Sequence, residues 1–192
     1  YNDVRMGAEI SSYLKGYNDP RIASYFVKAK NNGIEGYYAV RTNIPTTDDY
    51  LDKAKSSSLN VQDGTPIYIM KASEVYFLRA EGALRGWNMG GGTAQSYYEK
   101  GIATSFEEND LSASQAAAYA ANSTATPANF VDALHSEYDT PATSTITIKW
   151  ETGATNFERN LERIITQKYL AIYPDGQEAW SEYRRTGYPR IF

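Results

Sequence analysis

From Thr155 to Pro189 the chain reads TNFERNLERIITQKYLAIYPDGQEAWSEYRRTGYP, and its apolar positions recur at helical spacing. Leu161, Ile164, Ile165, Tyr169 and Ile172 form one stripe, which predicts a long amphipathic helix. Thr155 and Glu158 have the spacing of a capping box that would open it. Pro174 and Gly176 predict its end, because proline cannot continue the hydrogen-bond ladder and glycine accepts turn geometry. Ala179, Trp180 and Tyr183 then predict a second, shorter helix with an apolar face, closed by Arg184, Arg185 and Gly187.

The same reading applied upstream gives a helix over 3–15 with Val4, Ile10 and Leu14 inward, a turn at 16–20 and a short helical piece over 21–26. Residues 27–65 read as irregular, with glycines at 33, 36 and 64 and a serine run at 56–58. A loop that long is either functional or poorly ordered, and this one holds Tyr37, Tyr38 and Tyr50. Residues 67–86 predict a helix entered through Pro66 and dense in Val75, Tyr76, Leu78, Ala80, Ala83 and Leu84. A glycine-rich turn at 87–92 leads to a helix over 93–107, with Ala94, Tyr97, Tyr98, Ile102 and Phe106 on one stripe. Helix, tight turn, helix resembles a TPR unit, whose two helices pack antiparallel and need neighbours to bury their remaining faces. Residues 111–130 predict a short helix followed by a loop through Pro127. The alternation of Thr143 to Trp150 supports one short strand or extended segment, the only convincing non-helical element.

The expected fold is therefore mostly α, with TPR-like helical pairs carrying long irregular loops. A chain of 192 residues that is 42% hydrophobic can bury one substantial core, so residues 1–192 are expected to form a single domain portion. Tyr1 is no initiator and Phe192 stops directly after a turn, which reads as an internal fragment of a longer chain. Within it lie the helix pair of about 67–107 and the C-terminal motif of 155–189. A net charge of −4 gives no electrostatic case for nucleic acid. No run of eighteen apolar residues predicts a membrane-spanning helix. Absence of cysteine removes disulfides, thiol catalysis and zinc–thiolate sites.

Candidate chemistry narrows quickly. His135 is the only histidine and has no hydrolase or metalloprotease motif around it, so it reads as a solvated loop residue. Gly90–Gly92 lacks the Gly-Lys-Ser/Thr tail of a phosphate loop and reads as a helix–helix turn. The acidic pairs Glu107-Glu108 and Asp48-Asp49 read as solvated, and Asp48, Asp49 and Asp52 lack calcium-loop spacing. No catalytic residue, cofactor site or metal site is expected. The excess is in tyrosine, seventeen against three tryptophans and six phenylalanines. Tyrosine pairs a flat apolar face with a polar tip and suits both half-buried packing and ligand stacking. Trp180 on its helical stripe and Trp87 at the turn are expected to pack in the core. Aromatics on long loops serve ligands more often, which makes Tyr37, Tyr38, Tyr50 and Trp150 the candidate ligand-binding residues. Arg184 and Arg185 are expected to hold helix ends and carboxylates together.

QKYLAIYPDGQEAWSEYRRTGYPRIF (Gln167–Phe192), PIYIMKASEVYFLRAEGALRGWNMGG (Pro66–Gly91) and, more weakly, GYNDPRI near the start carry a resemblance to the SusD/RagB family. The resemblance spans most of the chain. It implies a surface-exposed outer-membrane lipoprotein that captures oligosaccharide or polysaccharide and works as a lid on a SusC-like TonB-dependent transporter, without bond chemistry. It also implies an N-terminal lipid anchor outside this segment. Family ligand residues sit on variable loops, so none is carried over to this sequence. A peptide-binding uptake protein, as among RagB-like relatives, or a TPR-type protein-interaction module is the alternative. A glycoside hydrolase finds no support in the sequence.

Overall fold

The computed structural model describes residues 4–45, 48–52 and 54–192. The chain divides into two compact units: Tyr1–Pro66 with Thr126–Thr145 and Phe192, and Ile67–Ala125 with Ile146–Ile191.

In the first unit, α1 (Ala8–Gly16) buries Ile10, Tyr13 and Leu14. It starts later than the apolar spacing suggests, and Asp3 lies outside the described residues. Residues around Met6 are extended because their backbone pairs laterally: Met6 N donates to Ser57 O (2.8 Å) and Val40 N donates to Met6 O (2.9 Å). Val4, expected inward, is 52% exposed. The helix ends where Asn18 takes a left-handed φ of 50°. In the GYNDPRI turn that follows, Arg21 and Asp19 are fully buried and meet head-on, with Nε and Nη2 on the two carboxylate oxygens at 3.0 and 2.5 Å. Two charges leave water together there, which the bidentate geometry makes tolerable. A piece of loop, Thr126–Ala128, lies on α1: Ser12 Oγ donates to Ala128 O (2.5 Å), and a Cβ on Gly16 would collide with the Thr126 carbonyl.

Beyond α2 (Ile22–Tyr25), the segment read as irregular contains a hairpin, β1 (Ala29–Asn31) antiparallel to β2 (Ile34–Gly36). Asn32 and Gly33, at φ 49° and 82°, supply the two positive-φ residues that a tight turn of the primed type requires. A single helical turn, α3 (Asp48–Leu51), follows.

The second unit is built on α4 (Ala72–Leu84) and α5 (Ala94–Glu107), the expected helix pair. Gly101 permits their close approach, since a Cβ there would stand 2.8 Å from the Phe77 ring. α4 begins later than expected, and Ile67 to Met70 lie outside it and are exposed. Tertiary capping sets the start: Glu108 accepts from Ser73 N and Ser73 Oγ (3.0 and 2.6 Å). That places one acid of the Glu107-Glu108 pair in a packing role. Tyr97 organises the glycine-rich turn, accepting from Gly92 N (3.0 Å) and donating to Met89 O (2.8 Å) while Arg79 lies over its ring. α6 (Ala113–Ala120) opens with a full capping box from Ser112 and Gln115.

α7 (Phe157–Ala171) carries the expected stripe, with Leu161, Ile164 and Ile165 buried, yet its polar side is buried as well. The expected capping box is absent: Asn156 is the N-cap without a side-chain bond, and Glu158 accepts from Tyr188 Oη instead (3.2 Å). After a cis Tyr173–Pro174 bond, Asp175 caps α8 (Gly176–Thr186) by accepting from Gln177 N and Glu178 N. The Thr143–Trp150 stretch forms no strand among the described residues and bends at Thr143 and at Ile148–Lys149. Side chains and loops take its polar groups, as where Tyr98 Oη donates to Ile148 O (2.7 Å) and Arg163 Nε to Thr147 O (2.9 Å). The one strand pair described is the hairpin that the spacing did not reveal.

Candidate functional site

The candidate tyrosines all lie in the first unit, where the 130–140 loop is a hub. Phe130 and Thr140 close it by reciprocal backbone bonds of 2.9 Å each. Inside it Asp132, almost fully buried, accepts from Leu134 N and His135 N through Oδ1 (2.9 and 3.0 Å). Asp139 Oδ1 accepts in turn from Asp132 N (2.8 Å). Three other segments reach this loop: Asn31 Nδ2 donates to Ala133 O (3.2 Å), Arg41 Nη1 to Thr140 Oγ1 (2.8 Å) and Tyr50 Oη to Asp132 Oδ2 (2.9 Å).

Tyr50 is half-buried, with its ring centroid 5.3 Å from His135. Burial, then the bond to Asp132, pushes its phenol far above the usual range, so it acts only as a neutral donor. Tyr38 folds back on its own hairpin: its ring packs on Gly36 and its hydroxyl donates to Ile34 O (3.2 Å). Its backbone N–H is held by Ser57 Oγ (3.0 Å). Tyr37 beside it is half-buried, which raises its phenol modestly. Trp150 belongs to the second unit, half-buried with its ring 5.5 Å from the fully buried Tyr98.

Sequence reading passed over Asp132, His135 and Tyr138 as site residues. Only Asp132 left a local signal: an aspartate two and three residues before the amides it binds makes an Asx turn. His135 is not merely solvated, since both ring nitrogens stand 3.4 Å from carboxylates, Asp49 at Nε2 and Glu137 at Nδ1. The side chain of Asp48, considered for calcium, lies outside the described residues.

The other two tryptophans depart from expectation. Trp87 is 63% exposed and Trp180 54% exposed, the latter stacked on Tyr183 at 5.8 Å. The buried residue of α8 is Glu182, because that face meets charge rather than an apolar partner. Lys168, fully buried, lies 2.6 Å from Glu178, 3.1 Å from Glu182 and 3.3 Å from Glu74. Burial opposes its charge, but the bonds to Glu178 and Glu182 outweigh it and raise the ammonium above its usual value. Arg185 forks onto both oxygens of Glu81 (2.6 Å each) and onto Glu182 (2.6 Å), the packing role expected of it. Between α5 and α6 runs an open groove of about 340 Å³, its floor made of alanines and its rim of Gln95, Glu99 and Lys149.

No match was found among curated proteins. Among solved structures, a SusD homologue from Bacteroides thetaiotaomicron is 49% identical over 98% of this chain and 39% of its own, with a TM-score of 0.90. A chitin-binding SusD homologue from Flavobacterium johnsoniae is 47% identical over 100% of this chain and 39% of its own (TM-score 0.88). A SusD homologue from Bacteroides ovatus is 39% identical over 100% and 40% (TM-score 0.90). The chain thus spans about two fifths of the length of these relatives. The SusD-like model, described as SusD and RagB outer membrane lipoprotein, matches residues 1–192, and proteins of this kind bind without catalysing. The helical pairs, the C-terminal motif and these matches agree: the chain belongs to the SusD-like family.

Proposed function

We propose that this chain is part of a non-catalytic glycan-binding protein of an outer-membrane nutrient uptake system. It captures oligosaccharide at the cell surface, as a lipoprotein anchored outside this segment, and passes it to a SusC-like TonB-dependent transporter. The observation that carries the reading is half-buried Tyr50 on a loop hub whose backbone is held by side chains, with half-buried Tyr37 and Tyr38 following the hairpin that bonds the same loop through Asn31. A pyranose offers C–H patches to a flat ring while its hydroxyls seek polar partners, and tyrosine supplies both. The chitin-binding relative, at 47% identity, supports a glycan as the ligand class. Tyr37, Tyr38, Tyr50 and Trp150 are the proposed contacts. Trp150 would act from its own unit.

The α5–α6 groove favours a second reading, in which a peptide or partner helix lies on the alanine floor. Calorimetric titration of the full-length protein separates the two. Chito-oligosaccharides and other neutral oligosaccharides should bind saturably, and a Tyr37→Ala/Tyr38→Ala variant should lose most of that affinity. Binding of short peptides with no response to any sugar would overturn the glycan reading.

A further inference from the structure

Between Ile67 and Leu78 six large apolar side chains stand in solvent. Ile67 and Ile69 are 94% and 96% exposed, and Tyr68, Met70, Val75 and Leu78 are exposed as well. A run of exposed apolar residues this dense marks a surface that something covers. The run is also held in place. Lys71 Nζ donates to Ala171 O and Tyr173 O at the end of α7 (3.0 and 2.9 Å) and stands 5.5 Å from the centre of the Tyr68 ring. Directly after it, Ala72, Val75 and Leu78 follow one another at three-residue spacing on α4 and are all exposed, so they form one outward apolar stripe. The charged groups nearby are turned to their own unit: Lys71 to the end of α7, Glu74 to Lys168 (3.3 Å) and Arg79 Nη2 to Met89 O (2.8 Å). No charged residue interrupts 65–70. Covering this surface therefore displaces water with little polar cost.

The helix pair indicates what fits there. On α4, Ser73, Phe77 and Ala80 are buried on the other side of the helix from the stripe, and Phe77 packs on Gly101 of α5. Beyond α5 lies α6, where the rings of Phe106 and Tyr119 meet at 5.0 Å, and both helices of the pair lie against α7. A helix–turn–helix unit of this kind buries its outer faces on helices at either side. α6 supplies that neighbour for α5, and the stripe of α4 is the face that stands open. About three fifths of the length of each relative lies outside the part that this chain matches, enough for several helical pairs of about 34 residues. We propose that the surface from Ile67 to Leu78 is the seat of a further amphipathic helix of the same polypeptide, whose apolar stripe packs on α4 and on the run before it. The seat is independent of the ligand that the protein binds.

Hydroxyl-radical footprinting of the full-length wild-type protein, with no transporter present, tests it. Tyr68, Met70 and Leu78 are the reporters, each read against the urea-unfolded protein and over a wide range of protein concentration. Oxidation should be slower by about tenfold or more at all three, and equally so at every concentration. Rates close to those of the unfolded protein would overturn the proposal, because the surface would then be open or kept for another protein. Protection that fades on dilution would overturn it as well and assign the face to a second copy. Leu78→Glu keeps a good helix former but sets a carboxylate under the docked helix. It should lower the folded-to-unfolded ratio of the full-length protein by about tenfold or more, read from urea unfolding, and a ratio equal to that of the wild type would contradict the proposal.

Discussion

The C-terminal helical motif and the 130–140 loop hub use charge in opposite ways. In the motif, Lys168 is fully buried and ringed by Glu74, Glu178 and Glu182, while Arg185 ties Glu81 to Glu182. Every one of these groups is spent on another group of the same unit. In the hub, Asp132 is buried and orders the backbone, whereas Tyr50, His135 and Tyr138 keep part of their surface in solvent. The most conspicuous block of the sequence is therefore a packing device. The plainer loop keeps half-buried aromatic surface beside solvent.

The largest expected effect breaks the motif. Lys168→Ala leaves three carboxylates around an empty buried position and should lower stability by about 3–5 kcal/mol, read from urea unfolding. Next comes Gly16→Ala, which drives a methyl into the backbone of Thr126–Ala128 and should cost about 1–3 kcal/mol by the same measurement. In the hub, Tyr50→Phe deletes one donor to a buried carboxylate and should cost about 1 kcal/mol. Tyr37→Ala/Tyr38→Ala should barely move the unfolding midpoint yet weaken oligosaccharide binding about tenfold or more, at roughly 1 kcal/mol per lost ring face.

The smallest effect is a pH dependence. A hydrogen bond from Arg159, with a further one from Arg163 set against the cost of burial, holds the Glu151 carboxyl at about 2, below its ordinary 4.5. A carboxyl depressed in the folded state contributes stability above its unfolded value and loses it as pH falls through the folded one. Acid titration of wild type and Glu151→Gln should therefore diverge above about pH 4.5 and converge toward pH 2. Parallel curves over that window would remove the role assigned to the Arg159–Glu151–Arg163 cluster.

Much of the helical frame was legible because burial follows spacing: Tyr97, Tyr98, Ile102 and Phe106 on α5 and Leu161, Ile164 and Ile165 on α7 lie where the stripes put them. Helix starts were not legible, because distant side chains set them. Glu108 caps α4 from the end of α5, and Lys71 turns back to Ala171 O and Tyr173 O at the end of α7 (3.0 and 2.9 Å). Three-residue strands give too little alternation to register, and Asn32-Gly33 was the one signal for the hairpin. Spacing was silent on the burial of Arg163 and Lys168, which only tertiary partners make tolerable. At the hub the tyrosines were visible as loop aromatics. Asp132 and His135 gained meaning only when α3 and the 130–140 loop met.

The most direct test of the division between packing motif and loop hub is fluorine NMR of the full-length protein labelled with fluorotyrosine. Tyr37, Tyr38, Tyr50 and Tyr183 would be assigned by single phenylalanine variants and followed during oligosaccharide titration. The account predicts saturable shifts at Tyr37, Tyr38 and Tyr50 with Tyr183 on α8 unchanged. Saturable binding that moves Tyr183 and leaves the three loop tyrosines still would contradict it.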